Sequence, residues 1–245
     1  MRSLLAVVRL LRLIGHLFYG VGLIRWRFGS LSLARRHVLI KRWSGKMLRI
    51  LGVSLESSGT PRPGAKLILA NHVSWLDIAA VHAVMPEARF VSKADVRDWP
   101  VVGLLVDGVG TLFIERTNKR DALRVVHQMA DALKEGDTVA VFPEGTTGPG
   151  PELLPFHGNL LQAAIATEAP IQPVVLRWFE PGQRFSTTAQ FIGTTSLIQS
   201  LWAILRARGL GVRVDVLTAM ETAHADRRAL AEHVREEISQ RMAQP

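Results

Sequence analysis

The chain has 245 residues, 48% of them hydrophobic, and no cysteine, which excludes disulfides, thiolate nucleophiles and cysteine-ligated metals. Its mean hydropathy of +0.17 lies at the apolar end of soluble proteins, and its length suits one α/β domain with an appendage. The formal net charge of +9 is unevenly placed: eleven Lys/Arg and no acid precede Glu56, while the remaining 19 basic residues stand against 21 acids.

Residues 4–24 form an apolar stretch long enough to span a bilayer as a helix, for which roughly 20 residues suffice. Arg9, Arg12 and His16 interrupt it, and an arginine near the centre of a spanning helix costs about 2.5–3.5 kcal/mol. On a helical wheel Arg2, Arg9, Arg12 and His16 share an arc of roughly 80°. One polar stripe on an apolar rod predicts a helix lying in the membrane interface. Residues 33–51 repeat the theme. Leu39, Ile40, Trp43, Met47, Ile50 and Leu51 gather in an arc of roughly 120°, with Arg35, Lys41, Arg42, Lys46 and Arg49 mostly facing away. Gly20, Gly22, Gly29 and Ser30 mark the turn of a helical hairpin. A pair of helices packed on the domain with a solvated basic face is the plainer alternative. The interleaved long aliphatics disfavour nucleic acid, and the interrupting arginines disfavour a cleaved signal peptide.

After the turn-rich segment 59–64, strand and helix patterns alternate. Residues 66–70, 88–92, 111–115, 138–142, 171–176, 189–193 and 211–217 read as strands. Residues 95–106, 119–134, 159–168, 197–208 and 226–242 read as helices. This alternation predicts an α/β fold with a mixed, mostly parallel sheet flanked by helices, behind an N-terminal amphipathic helical hairpin. The division expected is 1–52 for the membrane-binding helices and 53–245 for the remaining domain.

Three segments carry residues suited to chemistry. In Asn71-His-Val-Ser-Trp-Leu-Asp77, Ser74 and Asp77 have the spacing of a helix N-cap followed by an acid. Asp77 on the first helical turn can also reach back to His72, fixing its tautomer and leaving one ring nitrogen as a base. The two roles compete for one carboxylate, and a capping Asp beside an incidental His has the same spacing. Gly110-Thr-Leu-Phe-Ile-Glu-Arg116 ends a strand in a guanidinium, useful for a phosphate and equally an ordinary surface charge. Val141-Phe-Pro-Glu-Gly-Thr-Thr147 puts Glu144 at the C-terminal end of a strand, beside a glycine that lets backbone approach a ligand; a simple tight loop has the same pattern. There is neither a Gly-x-Ser-x-Gly motif nor a cysteine, so direct attack by a substrate hydroxyl is more economical than a covalent acyl-enzyme.

Together, in this order, the three segments resemble the motifs of the glycerolipid acyltransferase family typified by lysophosphatidic acid acyltransferases. Asn71–Asp77 is similar to the family's His-x-x-x-x-Asp motif, Gly110–Arg116 to its second motif, and Phe142-Pro-Glu-Gly-Thr146 to its third. Ala169-Pro-Ile-Gln-Pro-Val174 resembles its fourth, and Lys93 with Pro100 and Gly103 fits the stretch between the first two. The resemblance implies transfer of a fatty acyl chain to a lysolipid hydroxyl, most simply that of 1-acylglycerol-3-phosphate. It implies His72 as base, Asp77 as its partner, and Arg116, Glu144, Gly145 and Thr146, with Lys93, around the acceptor's head group. It implies an acyl carrier protein or coenzyme A thioester as co-substrate, no other cofactor and no metal. It also implies membrane lipids as partners, and a monotopic or peripheral enzyme on the cytoplasmic face of the inner membrane. Thr147 departs from the Arg that commonly ends the third motif in members acting on phosphate acceptors, and His157 stands where a Lys or Arg is common. Relatives acylating lyso-ornithine lipid share a Thr ending. A catalytically silent lipid-binding protein is the remaining alternative, and the intact His72 and Asp77 count against it.

Overall fold

The computed structural model describes residues 2–114 and 119–244. Two long helices open the chain, α1 (Arg2–Trp26) and α2 (Leu33–Leu51). Gly52 ends α2 in the left-handed region at φ 80°, where its N–H reaches the carbonyls of Leu48 and Arg49. The α/β expectation then holds. Strands β1 (Ser54–Ser58), β2 (Lys66–Ala70), β3 (Ala88–Lys93), β4 (Leu112–Ile114), β5 (Thr138–Val141), β6 (Ile171–Phe179) and β7 (Gly211–Val216) alternate with helices. These helices are α3 (Asp77–Val84), α4 (Val102–Gly108), α5 (Lys119–Lys134), α6 (Gln162–Thr167), α7 (Leu197–Arg206) and α8 (Arg227–Ala243). The sheet order is β1-β7-β6-β2-β5-β3-β4. Every neighbouring pair is parallel except β6 with β7.

The central strands are mostly apolar because both faces are covered. α1, α2, α3 and α7 pack on one face in a single cluster with Ile68, Ala140 and Leu176. α5, α6 and α8 cover the other, around Leu67, Val139 and Val175. The first 52 residues therefore supply a layer of this core: Leu13, Met47, Leu48, Ile50 and Leu51 are all buried in the first cluster.

Three details differ from the sequence pattern. β1 is a mostly exposed edge strand of sequence Ser-Leu-Glu-Ser-Ser, without the β-branched or aromatic residues that signal strands. Residues 95–106 break into a 3-10 turn, Ala94–Asp98, and α4; Pro100 falls at the break, and the residue before a proline is pushed out of the helical region. Residues 189–193 form no strand. Their backbone turns to the loops instead: Phe191 N–H donates to the Val73 carbonyl at 3.0 Å, and its own carbonyl accepts the Thr147 hydroxyl.

The N-terminal helix presents its apolar face outward and turns part of its polar stripe to the protein. Arg9 donates to the Leu205 and Ala207 carbonyls at the C-terminal end of α7, completing that helix end as a cation does. His16 is buried, with Nε2–H donating to the Trp43 carbonyl at 2.9 Å and the ring stacked on Trp43. Arg9 and His16 thus face the protein, while Arg12 is exposed. Leu4, Leu11, Phe18 and Trp26 point outward, each more than 60% exposed. On α2 the expectation holds: Arg35, Lys41, Arg42, Lys46 and Arg49 are exposed.

Candidate active site

Because β2, β5, β3 and β4 run parallel, their C-terminal ends deliver Asn71, Phe142, Lys93 and Ile114 to one edge of the sheet, where open α/β sheets place ligands. Asn71 ends β2 by substituting for backbone: its amide donates to the Leu176 carbonyl at 2.9 Å and accepts the Leu176 N–H at 2.7 Å. This extends the β2–β6 ladder by a side chain and sets where the next residue, His72, leaves the sheet.

His72 is fixed on three sides. Its Nδ1–H donates to Asp77 Oδ2 at 2.8 Å. Its imidazole stacks on Phe142, centroids 3.9 Å apart and planes 7° from parallel, and Phe142 stacks in turn on Phe90 at 5.4 Å. Its backbone is clamped by the loop after β5: its N–H donates to Glu144 Oε1 at 2.7 Å and its carbonyl accepts the Gly148 N–H at 2.7 Å. The side chain keeps 19% exposure, and Nε2 has no hydrogen bond among the described residues. A neutral imidazole with Nδ1–H committed presents Nε2 as an open base.

The competition between capping and orienting does not arise. Asp77 is fully buried. Its Oδ2 accepts the N–H groups of Val73 and Ser74, at 2.7 and 2.8 Å, together with His72 Nδ1–H. Its Oδ1 accepts the indole N–H of Trp178 at 2.7 Å. The turn at residues 72–76 curls around the carboxylate, so one group both closes the turn and orients the base. Ser74 is not the side-chain cap; it is buried, and its hydroxyl accepts the Leu76 N–H at 3.3 Å.

Glu144 is buried with both oxygens engaged, Oε1 by His72 N–H and Oε2 by Leu154 N–H at 2.9 Å. Burial pushes its pKa above the usual carboxylate range, against the lowering effect of those two N–H groups. Gly145 adopts φ 72°, and a Cβ there would lie 3.1 Å from the His157 ring, so glycine suits both the backbone and the space. Thr146 and Lys93 are exposed at this edge. Arg116 lies outside the described residues. The structure therefore brings His72, Asp77, Glu144 and Gly145 together. It adds Asn71 as a ladder extension, Phe142 as a stacking floor and Trp178 as a donor. Of these three, only Trp178 lay outside every motif, and its one signal was that a buried indole N–H needs an acceptor.

A family model described as Acyltransferase matches residues 55–177. The chain is 34% identical to the 1-acyl-sn-glycerol-3-phosphate acyltransferase of Neisseria meningitidis serogroup B, over 94% of this chain and 90% of that protein. It is 32% identical to the lyso-ornithine lipid O-acyltransferase of Pseudomonas aeruginosa, over 97% and 93%. Its fold is similar to the crystal structure of the 1-acyl-sn-glycerophosphate (LPA) acyltransferase of Thermotoga maritima, with a TM-score of 0.76, 20% identity, and coverage of 99% and 96%.

Proposed function

This chain belongs to the glycerolipid acyltransferase family, and from that premise we propose how its residues carry out the transfer and on which acceptor. The protein is an O-acyltransferase of lysolipids. In the proposed mechanism, His72 Nε2 takes the proton of the acceptor hydroxyl as its oxygen attacks the carbonyl carbon of an acyl thioester. Asp77 stabilises the imidazolium that forms. The tetrahedral intermediate expels the thiolate, which takes the proton back from His72, leaving an ester and a free thiol. The supporting observation is the committed Nδ1 of His72 beside its open Nε2, on a ring held flat by Phe142. Glu144 and the Gly148 N–H set the height of the ring by holding the His72 backbone.

The acceptor proposed is 1-acylglycerol-3-phosphate, with Arg116 and Lys93 around its phosphate and Gly145 and Thr146 lining the approach. The donor is acyl-CoA or an acylated carrier protein. A lyso-ornithine lipid is the second reading. It is favoured by Thr147, whose hydroxyl is tied to the Phe191 carbonyl where phosphate-using members commonly carry a cation. The exposed apolar face of α1, flanked by the cations of α2, suits a monotopic or peripheral position on an anionic leaflet, at the cytoplasmic face of the inner membrane. Incubating the purified protein with acyl-CoA or acylated carrier protein and a panel of lysolipids, with products identified by mass, tests the reading. Phosphatidic acid as the main product supports the phosphate acceptor; diacylated ornithine lipid as the main product selects the second reading.

A further inference from the structure

Trp178 lies one residue beyond the stretch matched by the family model, on β6, 101 positions from Asp77. It is only 1% exposed, with its ring in the core cluster below α3. Its indole N–H points at Asp77 Oδ1 at 2.7 Å and is the only donor on that oxygen among the described residues. The opposite oxygen, Oδ2, takes the His72 ring and two backbone N–H groups.

We infer that Trp178 is a positioning residue for the acyl transfer: its indole N–H locks the Asp77 carboxylate and tunes how strongly Asp77 holds the His72 proton. The inference rests on the reading of His72 as the base. Two consequences separate it from a tryptophan that merely satisfies its own N–H in the core. A carboxylate held at both oxygens cannot rotate, so Oδ2 stays on His72 Nδ1. Secondly, a hydrogen bond to an anion spreads its charge. Removing it makes Asp77 a stronger partner for imidazolium, which favours the protonated form of His72. The titratable groups near His72 among the described residues are Asp77 and Glu144, with His157 packed on Gly145. Neither Glu144 nor His157 touches the indole in any described hydrogen bond, so their contribution is common to wild type and variant.

The test compares the full-length protein with Trp178→Phe and with a variant carrying benzothienylalanine at 178, which keeps the bicyclic shape and replaces the N–H by sulfur. The measurement is kcat and KM against pH, on a lysolipid that the wild type acylates, with thermal melts alongside. The inference expects kcat to fall at least about tenfold, as for loss of a hydrogen bond to a charged group, with KM within about twofold. The acidic limb of the kcat/KM profile should move to higher pH in both variants. Wild-type kcat and an unmoved limb in either folded variant overturn it. So does a loss of activity that follows a lowered melting temperature with the limb in place, since that is the signature of packing alone. If Trp178→Phe does not fold, the benzothienylalanine variant decides. His72→Ala is assayed in parallel: turnover surviving there removes the base assignment itself, whatever the tryptophan variants do.

Discussion

Glu144 Oε1 accepts the backbone N–H of His72 at 2.7 Å, so the third motif grips the first through its main chain. With Oε2 on the Leu154 N–H, the carboxylate is a brace between two loops. Glu144→Ala should cost about 3 kcal/mol in denaturant unfolding, the scale for losing two charged hydrogen bonds, and should lower kcat as the ring shifts. Glu144→Gln keeps one acceptor and turns an N–H₂ toward the other donor, so it should fall between. Wild-type stability in Glu144→Ala, with a raised acceptor KM alone, would instead place Glu144 at the head group.

The outward face of α1 is predicted to carry membrane binding. The double variant Leu11→Glu/Phe18→Glu alters two residues more than 60% exposed and should leave the melting temperature unchanged. Vesicle co-sedimentation should weaken at least about tenfold, since each side chain contributes on the order of 1.5–3 kcal/mol when buried in an apolar phase. Wild-type binding to anionic vesicles should weaken with salt without vanishing, because apolar burial persists as charge is screened. Unchanged pelleting of the double variant would move the membrane contact elsewhere. Removing residues 1–52 is a poorer test, since Leu48, Ile50 and Leu51 belong to the core.

His82 predicts a pH dependence of stability. It is buried against Phe90, with Nε2–H donating to the Ala88 carbonyl at 2.8 Å, and burial pushes its pKa from 6.5 down to about 4. Between those two values the unfolded chain binds a proton that the folded chain refuses, so stability rises with pH across the window and is lost on acidification. The contribution should approach about 1.4 kcal/mol per pH unit in mid-window. Unfolding from pH 4 to 7 should show that slope in wild type and a shallower one in His82→Gln. Equal slopes would remove His82 from the account.

The acceptor assignment turns on residues 116 and 147. Arg116→Ala should raise KM for lysophosphatidic acid strongly, and Arg116→Lys should rescue only in part, because an ammonium cannot make the paired bonds of a guanidinium. Thr147→Arg loses the tie to Phe191 whichever acceptor is used, so the informative quantity is the ratio of kcat/KM for the two lipids. A phosphate acceptor predicts a ratio shifted toward lysophosphatidic acid. A wild type inactive on lysophosphatidic acid and active on lyso-ornithine lipid would select the second reading.

Much of this was legible in the sequence, and what was not has physical reasons. Apolar runs such as Leu67–Ala70 announce strands covered on both faces, and five-residue spacing brings Asp77 to His72 within one turn. β1 was silent because an edge strand can be polar. Residues 189–193 have strand-like composition, but spend their backbone groups on Val73 and Thr147. Periodicity showed that α1 has two faces without showing which medium each one meets: Arg9 and His16 found carbonyls inside the protein, turning the apolar face out. Trp178 was hidden because its partner lies 101 residues away, a contact that only the β2–β6 pairing creates.

The central claim is that His72 Nε2 removes the proton of the acceptor hydroxyl, and single-turnover acyl transfer by His72→Ala tests it most directly. The ring is partly exposed and the bonds that hold its backbone do not depend on the side chain, so the variant should still fold, with a melting temperature lowered by the lost Asp77 bond and Phe142 stacking. Its transfer rate should fall by about 10²–10⁴, the range for removal of a general base. A well-folded His72→Ala protein that transfers acyl chains at a near-normal rate would contradict the account.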